Sequence, residues 1–220
     1  MAAPERSAPN RRAFVVGGMS KSKKKGAAKA LLDVDRKSQE AVQPYTDTAP
    51  VKAVAWLSEL GDQPQMLTIS GGVLAWGAIR GDARFVRAGA RMITSHLLAT
   101  WVKNLIKQRV DRTRPFAAQT EQDRTPKPGR TDTKEETSFP SGHSAGAIAV
   151  AQAFSREFPQ HRLKALSGAG FIAVAQIPRS AHYPTDVGAG LAIGWASEQL
   201  VDAALRWSGS VKPASQSPPP

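Results

Sequence analysis

Thr137-Ser138-Phe139-Pro140-Ser141-Gly142-His143-Ser144-Ala145 places a titratable imidazole beside a hydroxyl and a glycine, at the mouth of an apolar run. Pro140 cannot continue a helix or strand from upstream, Ser141 can cap a helix that starts there, and Gly142 lets the backbone come close to a ligand. The amides from Ser141 onward, in the first turn of a helix running through Phe154, would point at that ligand and favour negative charge. Alone, Pro140-Ser141-Gly142-His143 more often marks an ordinary helix start with a surface histidine. Two further clusters change that weighing.

Upstream, Lys107 is followed by six residues and then Arg114-Pro115. On a helix the two cations, seven apart, share one face and repel each other unless an anion sits between them. Asp111, four from Lys107 and three from Arg114, could tie both. A phosphate would satisfy them better, because guanidinium offers a two-pronged fork and ammonium a point charge. Downstream, His182-Tyr183-Pro184-Thr185-Asp186 sets an imidazole and a carboxylate four apart. At a helix start the carboxylate can hold one ring nitrogen and leave the other free to attack. The competing reading is a Thr-Asp helix cap with an incidental histidine.

These three pieces, in this order and each at the end of an apolar segment, resemble the signature of the superfamily of type 2 phosphatidic acid phosphatases and vanadium-dependent haloperoxidases. The resemblance covers about residues 30–205. It implies an all-α bundle of about five to six helices, embedded in a membrane, with a phosphate site at one end. It further implies a metal-independent phosphatase acting on a phosphomonoester or diphosphate, chiefly of a lipid such as phosphatidic acid, phosphatidylglycerol phosphate or a polyprenyl diphosphate. On this resemblance His182 attacks phosphorus to give a phosphohistidine, Asp186 holds its ring, and His143 protonates the leaving group and then activates water. Lys107, Arg114, Ser141 and Gly142 would hold the phosphate. The family's third piece carries an arginine whose position falls on Gln176; Arg179, three residues before His182, is the candidate replacement. No metal or cofactor is implied, and the sequence offers no clustered carboxylates to hold magnesium. The alternatives are a soluble non-specific phosphatase, a haloperoxidase, and a catalytically weakened basic protein that binds membrane or nucleic acid on this scaffold.

The rest of the chain fits one domain. Its 220 residues can bury one sizeable core, and the absence of cysteine excludes disulfides, thiolate nucleophiles and cysteine metal sites. Of the net charge of +12, seven units fall in residues 1–30, where eight Lys/Arg face only Glu5. Residues 1–27 therefore read as a basic, disordered arm, without the interleaved aromatics that base stacking needs. Met19, just before Ser20-Lys21-Ser22-Lys23, is a candidate start. The helical domain spans 28–207 and a disordered tail 208–220. Helices are expected over 28–43 and 49–60, then over 65–79, 88–106, 144–158 and 165–205, the last divided near Pro178–Pro184. If these cross a bilayer, the gaps holding Arg80, Arg84 and Arg87 and holding Arg156, His161, Arg162 and Lys164 fall on one side. The site would then face the non-cytoplasmic side of a bacterial inner membrane. Against spanning, several segments offer only about 14 or 15 apolar residues where about 20 are needed, and the mean hydropathy is −0.33.

Overall fold

The computed structural model describes residues 21–209, in which eight α-helices and one two-stranded ribbon follow in order. The helices are α1 (Lys21–Val42), α2 (Ala49–Ser58), α3 (Gln63–Arg80), α4 (Ala83–Lys107), the single turn α5 (Glu121–Arg124), α6 (Gly142–Glu157), α7 (Arg162–Val174) and α8 (Pro184–Trp207). Strands β1 (Val110–Asp111) and β2 (Lys127–Pro128) pair antiparallel, tying the chain after α4 to the stretch beyond α5. Eight helices exceed the five or six expected, but α3, α4, α6, α7 and α8 alone form the bundle, with α1 and α2 laid against it and α5 a loop turn. Helix α1 begins at Lys21, within the stretch read as the arm; the rest of the arm, with Met19, and the tail from residue 210 lie outside the described residues.

Local chemistry sets these boundaries. Asp82 caps α4, its carboxylate accepting from the Arg84 amide, while Gly81 ends α3 in a left-handed turn at φ 65° that a side chain would resist. Helix α6 is apolar on nearly every face because it is the central strut, touching α3, α4, α7 and α8. Its alanines allow tight packing: Ala147, Ala151 and Ala169 form one cluster, and Met66, Met92, Val150 and Ala153 another. A Cβ on Gly190 or Gly194 would run into the Ser141 or Ala145 carbonyl, so glycine at both positions lets α8 press against the first turns of α6.

Helices α6 and α8 run parallel to each other and antiparallel to α4. The end of α6 that carries Glu157 meets the start of α4, so the two arginine-rich turns gather at one end, as the sequence pattern asks. There Arg91, only 4% exposed, sits among Glu157, Glu198 and Asp202, its Nη1 2.9 Å from Asp202 Oδ1. Arg156 pairs with Glu198 at 3.0 Å and Arg206 with Asp202 at 2.8 Å. Among the described residues no helix is long and apolar enough to cross a membrane.

Candidate active site

The opposite end of the bundle is built by the three clusters. Ser141 caps α6, its oxygen taking the Ser144 hydroxyl at 2.9 Å and the Ser144 amide at 3.4 Å, and its own amide donates to the Asp186 carbonyl at 3.0 Å. The hydroxyl is wholly buried and spent on the helix, so Ser141 shapes the anion site without facing the cavity. Gly142 and His143, next in the turn, do face it.

Lys107 and Arg114 arrive by a different route from the shared helix face the spacing suggests. Helix α4 ends at Lys107, and the chain turns into β1; the backbone at Arg112 and Arg114 then bonds along residues 135–138, the stretch just before the motif. That pairing brings Arg114 back over the end of α4. Asp111 binds neither cation and instead accepts from the Thr131 amide. The Lys107 ammonium donates to the Thr137 carbonyl, and the Arg114 guanidinium to the carbonyls of Lys134 and Ala181, the latter one residue from His182.

His182 is 2% exposed, directly before α8, with Nδ1 3.8 Å from Asp186 Oδ2. That is longer than a hydrogen bond, so the carboxylate acts on the ring through its charge. Nε2 has no hydrogen-bond partner among the described residues. The Asp186 carboxylate is itself pinned by the Ser138 hydroxyl, the Tyr183 amide and Arg112. Sequence reading passes over Arg112. Fully buried, it bridges Asp186 on α8 to Asp35 on α1, donates to the Thr185 hydroxyl, and lies 4.0 Å above the Tyr183 ring. An arginine two before Arg114, in a segment with two other charges, carries no signal that one of them turns inward.

Asp62, His96, Thr100 and Lys103 also line the cavity, of about 200 Å³, and sequence reading missed them too. Asp62 heads α3 without spending its carboxylate on capping; its Oδ1 is 2.9 Å from His143 Nε2, a close contact off the line of a hydrogen bond that becomes an ion pair only when His143 is protonated. His96, Thr100, Lys103 and Lys107 recur along one face of α4, a periodicity visible in the sequence once the helix is known. Arg179 points elsewhere, donating to the Ser58 hydroxyl at 3.1 Å, though close enough for its charge to depress His143. Gln176 is buried just past the end of α7; its side-chain amide donates to the Ile172 carbonyl of that helix, and its backbone carbonyl takes the His182 amide.

The cavity is strongly electropositive. Burial pushes His182 down to about 4, Asp186 opposing and Arg114 and Lys107 assisting. Burial likewise takes His143 to about 4, opposed by Asp62 and aided by Arg179, His182 and Arg114. Lys107 falls to about 7, from burial and then from Arg114 and Lys103. Burial raises Asp186, but His182, Arg112 and Ser138 more than offset it and keep it an anion. Two neutral imidazoles, three neighbouring cations and the free amides of a helix start can surround a phosphoryl group, with one imidazole to attack and one to move a proton.

The family model described as the PAP2 superfamily matches residues 88–208. Over 108 residues the chain is 36% identical to the lipid A 1-phosphatase of Rhizobium etli, covering 48% of this chain and 45% of that one. Over 57 residues it is 44% identical to the lipid A 1-phosphatase of Rhizobium johnstonii, covering 26% and 23%. The chain thus matches less than half the length of these curated relatives. The crystal structure of a transmembrane PAP2-type phosphatidylglycerolphosphate phosphatase from Bacillus subtilis superposes with a TM-score of 0.59, at 19% identity, over 84% of this chain and 89% of that one.

Proposed function

We propose, from the premise that this chain belongs to the PAP2 superfamily, that it hydrolyses a lipid phosphomonoester or diphosphate through a phosphohistidine on His182, without a metal. The observation that carries this is the convergence of His182, His143, Lys107 and Arg114 on one cavity, with Asp186 fixed behind the His182 ring. His182 Nε2 attacks phosphorus, and Asp186 stabilises the imidazolium that forms. His143 gives a proton to the departing oxygen and then takes one from the water that frees phosphate. Lys107, Arg114 and the Gly142 amide neutralise the equatorial oxygens, and burial makes them count. Ser141 serves through the α6 turn, and Arg179 adds charge from the rim.

The lipid class is supported by the lipid phosphatases among its relatives and by the molecule's outer faces. An apolar groove of about 310 Å³, lined by Met66, Ile69, Val73, Val150, Phe154 and Ile172, starts one helical turn from Asp62 and suits an acyl or prenyl chain. Trp56, Trp76, Trp101 and Trp195 are more than half exposed, as suits contact with a bilayer interface. Membrane association is therefore part of the proposal. So is a site on the non-cytoplasmic side, which the arginine-rich turns at the opposite end would favour were the helices to cross a bilayer.

The test is phosphate release from lipid and soluble phosphomonoesters with a chelator present. Wild type should turn over and be inhibited by vanadate, a mimic of five-coordinate phosphorus. His182→Ala and Asp186→Asn should fold but lose turnover, and quenched reactions should hold acid-labile phosphate on wild type alone. Full hydrolysis by His182→Ala would overturn the assignment.

A further inference from the structure

Lys107, Arg114 and the start of α6 are enough to hold one tetrahedral anion, yet the cavity continues past them along α4. Lys103, one turn back, is half-buried with its ammonium beside Gly142, and makes no hydrogen bond or ion pair among the described residues. Its charge acts on Lys107 on one side and His96 on the other, so it stands between them. His96 forms the inner wall. It is 2% exposed, and neither ring nitrogen makes a well-formed hydrogen bond among the described residues, although the Gly146 backbone lies close enough to raise its pKa against burial. A buried neutral imidazole without a well-formed bond and a half-buried ammonium with no counter-charge are both costly, and an anion between them would satisfy both. Thr100 adds a hydroxyl on the same face. The carboxylate facing this cavity, Asp62, is half-exposed and already set against His143.

We infer that Lys103, His96 and Thr100 form a second anion subsite on the His143 side of the transferring phosphoryl group, and that it takes the inner phosphate of a diphosphate ester. The inference rests on the phosphatase reading and narrows it to organic diphosphates over monoesters. His182 Nε2 bonds to the terminal phosphorus while the bond from that phosphorus to the bridging oxygen breaks. The electron pair stays on the bridging oxygen, which becomes part of a phosphomonoester held by Lys103 and His96. Water then adds to the phosphohistidine, releasing inorganic phosphate. Such a leaving group needs little help from a proton donor, which suits a His143 whose burial keeps it mostly neutral.

The measurement compares kcat/KM for a short prenyl diphosphate and the matching monophosphate, in a detergent or vesicle system common to both. Wild type should favour the diphosphate by about tenfold or more, and Lys103→Met should cut that ratio about tenfold while Lys103→Arg restores most of it. A wild-type ratio near one, or equal losses on both substrates in Lys103→Met, would overturn the subsite and place Lys103 on the transferring phosphate. Thermal shift of wild type with methylenediphosphonate against inorganic phosphate reads the subsite without turnover. Tighter binding of the bisphosphonate supports it, and equal binding sinks it. If neither substrate released phosphate yet the bisphosphonate bound more tightly, the phosphatase reading would fail while the subsite stood.

Discussion

Helices α4, α6 and α8 carry buried charge at both ends of the bundle, and the two ends balance it in opposite ways. At one, Arg91 and Arg156 meet Glu157, Glu198 and Asp202, so positive charge lies against negative charge supplied by the chain. At the other, Lys103, Lys107 and Arg114 share a cavity whose one lining carboxylate, the half-exposed Asp62, is set against His143, while Asp186 behind His182 is already held by Arg112. A matched cluster is structure, because removing one member leaves the rest uncompensated. An unmatched one is held in place by packing against its own electrostatics, and gains its counter-charge from a ligand.

The largest expected effect crosses the two. Arg91→Met removes the buried cation that Glu157, Glu198 and Asp202 share, leaving them only the more exposed Arg87, Arg156 and Arg206, and should destabilise the fold by about 3 kcal/mol. Substrate affinity of the protein that remains folded should hold. Lys107→Met should do the reverse, lowering kcat/KM by about 10²–10³ while the melting temperature holds or rises. Denaturant melts and phosphate release on both variants decide it. Equal destabilisation by the two would erase the distinction between the ends.

A middling effect lies in pH. His182 at about 4 must be neutral to attack, and Lys107 at about 7 must be charged to bind. Both pKa values are lowered, so for a good leaving group, which needs no proton from His143, kcat/KM should rise as pH climbs through about 4, where His182 sheds its proton, and fall above about 7, where Lys107 sheds its own. For a poor leaving group the loss of the His143 proton, also at about 4, opposes the rise. Bound phosphate raises Lys107, so kcat should hold to higher pH than kcat/KM. Lys107→Arg should move the alkaline limb of kcat/KM well upward, since guanidinium stays charged. An unmoved limb would free Lys107 of that role.

The sequence made the matched and unmatched ends unequally legible. The motif residues were readable because their chemistry is local: a serine cap before a helix, a histidine four residues from an acid, two cations bracketing a turn. Helix α6 could be placed from Pro140-Ser141-Gly142 and its apolar run within two residues of the observed bounds. What stayed hidden depends on contacts between distant segments. The Arg112–Asp35 bridge joins residues 77 apart, and Asp62 reaches His143 across two helices. The route of Arg114 was misread as helical because seven-residue spacing fits a helix, whereas the true cause is backbone pairing with residues 135–138. Lys103 and His96 lie on a visible period, but only a cavity on that side of α4 distinguishes them from solvent-facing residues.

The smallest effect probes the acid that faces the unmatched end. Asp62 raises His143 against burial and three positively charged or imidazole neighbours, so Asp62→Asn should lower that imidazole further and leave less of it protonated at neutral pH. General acid help matters most for a poor leaving group, so turnover should fall by up to about tenfold for an alkyl phosphate and by much less for a nitrophenyl phosphate. A merely structural loss at the head of α3 would instead lower turnover of both substrates together with the melting temperature. Its carboxylate accepts no capping bond from the α3 amides, so the melting temperature should stay. A leaving-group-dependent loss at unchanged stability would show that the unmatched end uses this carboxylate to place a proton, whereas Asp202 and Glu198 at the other end serve only to hold arginines.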